Sequence, residues 1–160
     1  MTDPPALHEA VTPIAFLLGT WRGEGHGSYP TIKDFAYGEE LTFRHNGKAF
    51  LAYSQRSWAL DDGRPLAAES GFWRPQPDGS VEVVMSRPTG LVEIYLGTIE
   101  ARKIELVSDL VARTTTAKEV TAVKRLYGMV GVELMYALDM AAMGQPLQPH
   151  LAARLQRVGD

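Results

Sequence analysis

Four histidines, six methionines and no cysteine set the terms for any chemistry in this chain. The lack of thiols removes disulfides, thiolate metal sites, iron–sulfur clusters and cysteine nucleophiles, so a metal has to be held by histidine, carboxylate, methionine or tyrosine. His8 lies in the N-terminal lead-in and His45 beside a turn, both solvated settings. His26 alternates with glycines and belongs to the opposite face from theirs, which points it outward. His150 is the histidine that follows a rigid proline and has an apolar neighbourhood. A single histidine taken on its own is more often a surface or hydrogen-bonded core residue than a ligand. The adjacent acids Glu39-Glu40 and Asp61-Asp62 point to opposite faces in a strand or to solvent in a turn, which leaves no acid pair of the glycosidase kind. No His-Glu-x-x-His pair or Gly-x-Ser-x-Gly elbow is present. Met135, Met140 and Met143 read as core filler. Lys118, in the run Thr116 to Thr121, is either an exposed lysine at a polar strand entry or a cation near the mouth of the fold for an anionic ligand group.

The elements that must position these residues are strands. Gly19, Gly23, Gly25 and Gly27 alternate from residue 19 to 27, with Trp21 in the remaining slot, so one face of an extended strand is nearly bare. Such a face implies a sharply coiled sheet, or close approach of another backbone or a ligand. Trp21 would plug one end of something hollow. A phosphate-cradling loop would need a helix after the glycines, and Pro30 followed by alternating residues gives none. At Tyr29-Pro30 the strand pairing should change, because proline has no N–H to donate.

Further strands follow at regular spacing. Phe35, Tyr37, Leu41 and Phe43 share one face against Ala36, Gly38, Glu40, Thr42 and Arg44. Asn46-Gly47 reads as a hairpin turn leading straight into a strand from Lys48 to Trp58. Strands over 66–74, 81–86, 91–100, 103–111, 118–127, 130–143 and 150–158 complete about ten, with glycine-bearing turns between nearly all of them. In the last strand His150, Ala152 and Arg154 alternate with Leu151, Ala153 and Leu155, and that strand should pair with the first. Residues 1–12 read as a loose lead-in, and residues 13–18 as one or two helical turns lying across the mouth. The expected fold is all-β: a ten-stranded antiparallel up-and-down barrel of the lipocalin or fatty-acid-binding kind, forming a single domain over residues 1–160. Ten strands enclose more space than side chains fill, so an interior cavity is expected.

The 160 residues carry a net charge of −3 with both signs interspersed, which gives no basic stripe for nucleic acid. No apolar run is long enough to cross a membrane and no secretion signal is evident, so a cytoplasmic location is expected. The oligomeric state, homodimer included, is left open.

Taken together, the extended motif Gly19-x-Trp21-x-Gly23-x-Gly25-x-Gly27-x-Tyr29-Pro30-Thr31-Ile32, the Thr116–Thr121 run and the segment Gly144 to Ala153 resemble the nitrobindins over about residues 17–158. The resemblance implies a barrel that binds haem b, with ferric iron held by a histidine on the last strand. It further implies isomerisation of peroxynitrite to nitrate and binding of nitric oxide at the open iron position. Carried over by position, His150 is the axial ligand and the residue through which catalysis runs, and Thr31 and Lys118 match positions that contact the porphyrin. The bare glycine face would let the flat macrocycle approach the wall. Two other readings use the same hollow fold: a lipid carrier without metal, with Arg56 or Arg125 holding the ligand carboxylate, and a nitric oxide sensor or carrier.

Overall fold

The computed structural model describes residues 2–159. A 3₁₀ helix, Glu9–Leu17, precedes ten strands. They are β1 Gly19–Tyr29, β2 Ile32–Arg44, β3 Leu51–Ala59, β4 Pro65–Pro75, β5 Ser80–Arg87, β6 Leu91–Glu100, β7 Lys103–Arg113, β8 Val120–Val130, β9 Glu133–Ala142 and β10 Gln148–Val158. Each strand pairs antiparallel with the next, and β10 pairs with β1, so the sheet closes and no edge is left open. The last element is the strand that closure demanded.

Two boundaries differ from the sequence reading. The lead-in ends at His8, whose Nδ1 accepts the Ala10 N–H at 3.0 Å and caps the helix. Val11 is already fully buried with Ile14 and Leu17, because an apolar side chain so placed gains about 1.5–3 kcal/mol by leaving water. Asn46-Gly47 does not make a tight hairpin: β3 starts at Leu51, and residues 45–50 form a connection closed by local bonds from the Gly47 and Lys48 amides to His45 and Asn46. Gly47, at φ +86°, lies close against Pro5 of the N-terminal segment.

The helix covers the end of the barrel where β1 begins, opposite the end that carries Lys118 and His150, and not the mouth of the cavity. Trp21 plugs that covered end as expected. Its Nε1–H donates to the Leu17 carbonyl at 2.8 Å, and the Arg157 guanidinium sits 4.2 Å from its ring centroid. Above it, Phe43, Tyr53, Trp73 and Tyr127 pack with ring centroids 5.1–5.9 Å apart. This half of the barrel is solid. The other half is hollow.

Glycine spacing in β1 has a backbone explanation at Gly23, where a Cβ would fall on the Arg154 carbonyl of β10. At Gly25 and Gly27 the space is taken by the rings of Tyr37 and Phe35 from β2. The bare face is thus covered by this chain's own aromatic side chains, which corrects the expectation that a macrocycle would lie against it.

Candidate functional site

The hollow half holds a cavity of about 990 Å³ opening at the end formed by the start of β10 and the ends of β1 and β3. Its wall includes Phe35, Tyr37, Leu138 and Leu151, and its rim Lys33, Arg64 and Lys118. That volume lies at the upper end of the roughly 300–1,000 Å³ of small-molecule sites. A larger groove of about 1160 Å³, over Leu126, Ala137 and Ala152, includes exposed His26 but runs along the outer wall and gathers no set of inward polar groups.

His150 reaches the cavity through a break in strand regularity. From Leu151 onward β10 alternates, with Ala153 and Leu155 buried and Ala152 and Arg154 exposed, so unbroken alternation would turn His150 outward. The pairing with β9 slips between Pro149 and Leu151, leaving His150 as the extra residue of a bulge, a device that re-aims a side chain. A second slip separates Gly27 from Tyr29 in the β1–β2 ladder, where Pro30 was expected to change the pairing. The residue between them, Ser28, offers its carbonyl to His150 Nδ1 at 3.0 Å. Tyr29 meets the imidazole edge-on at 5.3 Å and is itself held by the Ala142 N–H, which donates to its hydroxyl at 2.9 Å. Burial lowers the His150 pKa, the Ser28 bond opposes this, and the Arg87 charge adds to the lowering. The ring is therefore neutral at neutral pH, with its proton on Nδ1 and the Nε2 lone pair free, which is the ligand form of histidine.

The other residues singled out from the sequence fall in different places. Lys118 lies in the loop before β8, exposed and at the cavity rim. Thr31 sits in the exposed turn between β1 and β2 beside the rim residue Ile32, without lining the cavity itself. Gly19, Trp21, Gly23 and Gly25 do not border it either; they build the covered end and the β1 wall. Arg56 points outward, with its side chain 58% exposed and paired with Glu40. Arg125 is interior, but its donors are taken: Nε by the Tyr95 hydroxyl at 2.9 Å, Nη1 and Nη2 by Glu69 at 2.6 and 3.0 Å. A lipid carboxylate has no free guanidinium there.

What the residue reading passed over is the polar layer beneath the cavity. Glu93 is bound by Arg87 through Nε at 2.7 Å and Nη2 at 3.0 Å, and Tyr95 donates to it at 2.5 Å. Burial alone would raise the Glu69 pKa; the charge and hydrogen bonds of Arg125, with the charge of Arg87, instead hold it at about 2. Glu39, 2% exposed, joins the cavity floor. Burial raises its carboxyl to about 7, and hydrogen bonds from Tyr136 and from Gln55, which donates at 2.7 Å, pull it down only in part. A signal existed: Glu39, Arg87, Glu93 and Arg125 each occupy the inward slot of an otherwise apolar alternating row.

Among the described residues no group of three or more His, Asp or Glu comes together as a metal site. One imidazole in a large, mostly apolar cavity suits a metal that brings its own equatorial ligands in a flat ring, with cations at the rim for peripheral carboxylates. The residues fit a haem.

Comparison with known proteins points the same way. A family described as the THAP4-like, heme-binding beta-barrel domain matches residues 10–157. A peroxynitrite isomerase of Nocardioides sp. is 52% identical over 96% of both chains. Peroxynitrite isomerase 2 of Mycobacterium marinum is 49% identical over 96% of this chain and 98% of that one. The crystal structure of Rv2717c from M. tuberculosis superposes with a TM-score of 0.90 at 46% identity, covering 96% of this chain and all of that one.

Proposed function

The chain belongs to the THAP4-like, heme-binding β-barrel family, and on that premise we propose that it holds haem b through His150 and isomerises peroxynitrite to nitrate. The observation that carries the ligand assignment is the imidazole itself: a bulge turns it into the cavity, and the Ser28 carbonyl takes its Nδ1 proton, leaving Nε2 as a donor to iron. A carbonyl on the second nitrogen fixes ring orientation and raises ligand basicity. Bound there, a haem would supply a Lewis-acidic iron centre for a small oxyanion, or for nitric oxide.

Peroxynitrite and nitrate contain the same atoms and the same charge, so the protein need not add or remove a proton to complete the conversion. Its residues bind, orient and exclude water. Lys118 and Lys33 bring positive charge to the rim, where the carboxylates of a porphyrin belong; Arg64 is already paired with Asp61 and Asp62 at 3.1 and 3.0 Å. Phe35, Leu138 and Leu151 give the cavity apolar walls that keep water away from a bound substrate.

The test is reconstitution with hemin. A Soret band should form in the wild type and be lost or strongly weakened in His150→Ala, and loaded protein should accelerate peroxynitrite decay beyond free hemin with nitrate as the product. An unchanged spectrum in the variant refutes the ligand assignment. Decay no faster than with free hemin refutes the activity.

A further inference from the structure

Arg87 ends the inward row of β5, after Val81, Val83 and Met85, and borders both the main cavity and a void of about 60 Å³ beneath it. One edge of its guanidinium is already used. Nε donates to Glu93 Oε1 at 2.7 Å and Nη2 to Glu93 Oε2 at 3.0 Å, a side-on fork that fixes the plane of the group. A planar guanidinium carries a second fork at its far end, formed by Nη1 and the remaining Nη2 hydrogen. Nη1 has no hydrogen-bond partner among the described residues, and it is not sealed in as Trp73 Nε1 is: the side chain keeps 20% of its surface accessible where it lines the cavity. Arg125 in the same layer shows the contrast, because Tyr95, Tyr127 and Glu69 occupy all three of its nitrogens. β5 also stands halfway round the closed sheet from β10, so Arg87 and His150 look into one cavity from opposite walls. The Arg87 charge is felt at the imidazole. The other cations of the cavity, Lys33, Arg64 and Lys118, stay at the rim.

We propose that Arg87 is the specificity-determining residue of the cavity, its free fork donating to the oxygens of a small oxyanion from the wall opposite His150, so that the site selects anions over neutral ligands of similar size. That the anion is peroxynitrite entering or nitrate leaving rests on the haem reading above. Nitrate and nitrite each carry two oxygens side by side in a plane, the arrangement that a guanidinium fork matches. Glu93 does more than hold the plane. Its charge, with that of Glu69 at 3.5 Å, offsets the Arg87 charge and weakens the grip on the anion, which lets the product leave.

The experiment has two arms. In haem-free wild type, guanidinium ¹⁵N NMR is followed as sodium nitrate is added, with Arg125, whose nitrogens are all partnered, as the internal control. The Arg87 signal should shift to saturation and the Arg125 signal should stay. An Arg87 signal that moves no more than that of Arg125 overturns the proposal, whether or not any variant folds. In hemin-loaded protein, nitrite and nitric oxide affinities are read from the Soret shift in wild type and in Arg87→Gln/Glu93→Gln, a pair of changes that removes the cation without stranding a buried carboxylate. Nitrite should bind about tenfold or more weakly to the variant, the loss expected of a charge-assisted contact, while nitric oxide affinity stays within about twofold. An equal loss for both ligands, or none for nitrite, overturns the proposal. Should only the variant fail to load hemin, the nitrate titration of the wild type decides. Hemin that fails to load into the wild type refutes the haem reading, and the same titration still decides on Arg87.

Discussion

Replacing Arg125 with methionine tests whether the polar layer is a structural floor or a passive filling. Arg125 is 2% exposed, makes both Nη contacts to Glu69 and gives its Nε to Tyr95. Methionine fills similar volume but leaves Glu69 a buried carboxylate facing only Arg87 at 3.5 Å and the Tyr53 hydroxyl at 2.7 Å. Breaking a buried pair from one side costs about 3–5 kcal/mol. Arg125 and Arg87 together hold the Glu69 pKa at about 2, below its ordinary 4.5, so the stabilisation from this pairing is present above pH 4.5 and lost as pH falls through 2. Urea unfolding at pH 7 should therefore show Arg125→Met destabilised by about 3–5 kcal/mol, or roughly 10 °C in Tm. The gap should narrow at about pH 4, because an unpaired Glu69 takes up a proton there. Converting Glu69 to glutamine in the same chain should restore most of the loss, since the stranded charge is gone. A loss below about 1 kcal/mol, or one that does not change with pH, refutes this account.

Gly23→Ala should cost more than about 2 kcal/mol in urea unfolding, because the added methyl meets the β10 backbone at Arg154 and neither strand can yield alone. Gly131→Ala, at φ +63° with open space around it, should cost only about 1–2 kcal/mol. In haem-free protein Glu39→Gln should match wild type at pH 4.5 and exceed it by up to about 3 kcal/mol above pH 7. The sign follows from a folded-state pKa raised above the unfolded one: wild-type stability falls as pH rises between the two and is level beyond. Hemin binding, followed by the Soret band, should persist below the ordinary histidine range, because burial lowers the His150 pKa and delays the protonation that competes with iron.

The barrel was legible because alternation and glycine turns are local signals, and closure leaves few ways to arrange ten of them. The histidine was legible through a resemblance, since its own alternation pairs it with outward Ala152 and Arg154. The bulge that turns it inward depends on β9 as much as on β10, and no local pattern records it. Thr31 carried the family motif yet stands at the rim, beside the lining and not in it. The polar layer went unread for a different reason. Charged residues at single slots of apolar rows look like exceptions when each strand is read alone, and they become a network only when β4, β5, β6 and β8 are brought face to face.

That network accounts for the depth of the cavity. A ten-stranded barrel packed with apolar side chains from both ends would have its middle closed by the same aromatic residues that fill the helix-covered half. Glu69, Glu93, Arg87 and Arg125 instead satisfy one another across the barrel, and a bidentate pair such as Arg87–Glu93 holds rigid geometry that apolar packing would not. Their mutual pairing keeps them from reaching upward, so the space above stays open for a flat ligand. Glu39 is the one acid at this level whose charge no guanidinium pairs directly among the described residues; hydrogen bonds from Tyr136 and Gln55 hold it instead. Burial without a cation paired to it is what raises this carboxyl's pKa, while Glu69, paired in the layer below, stays ionised.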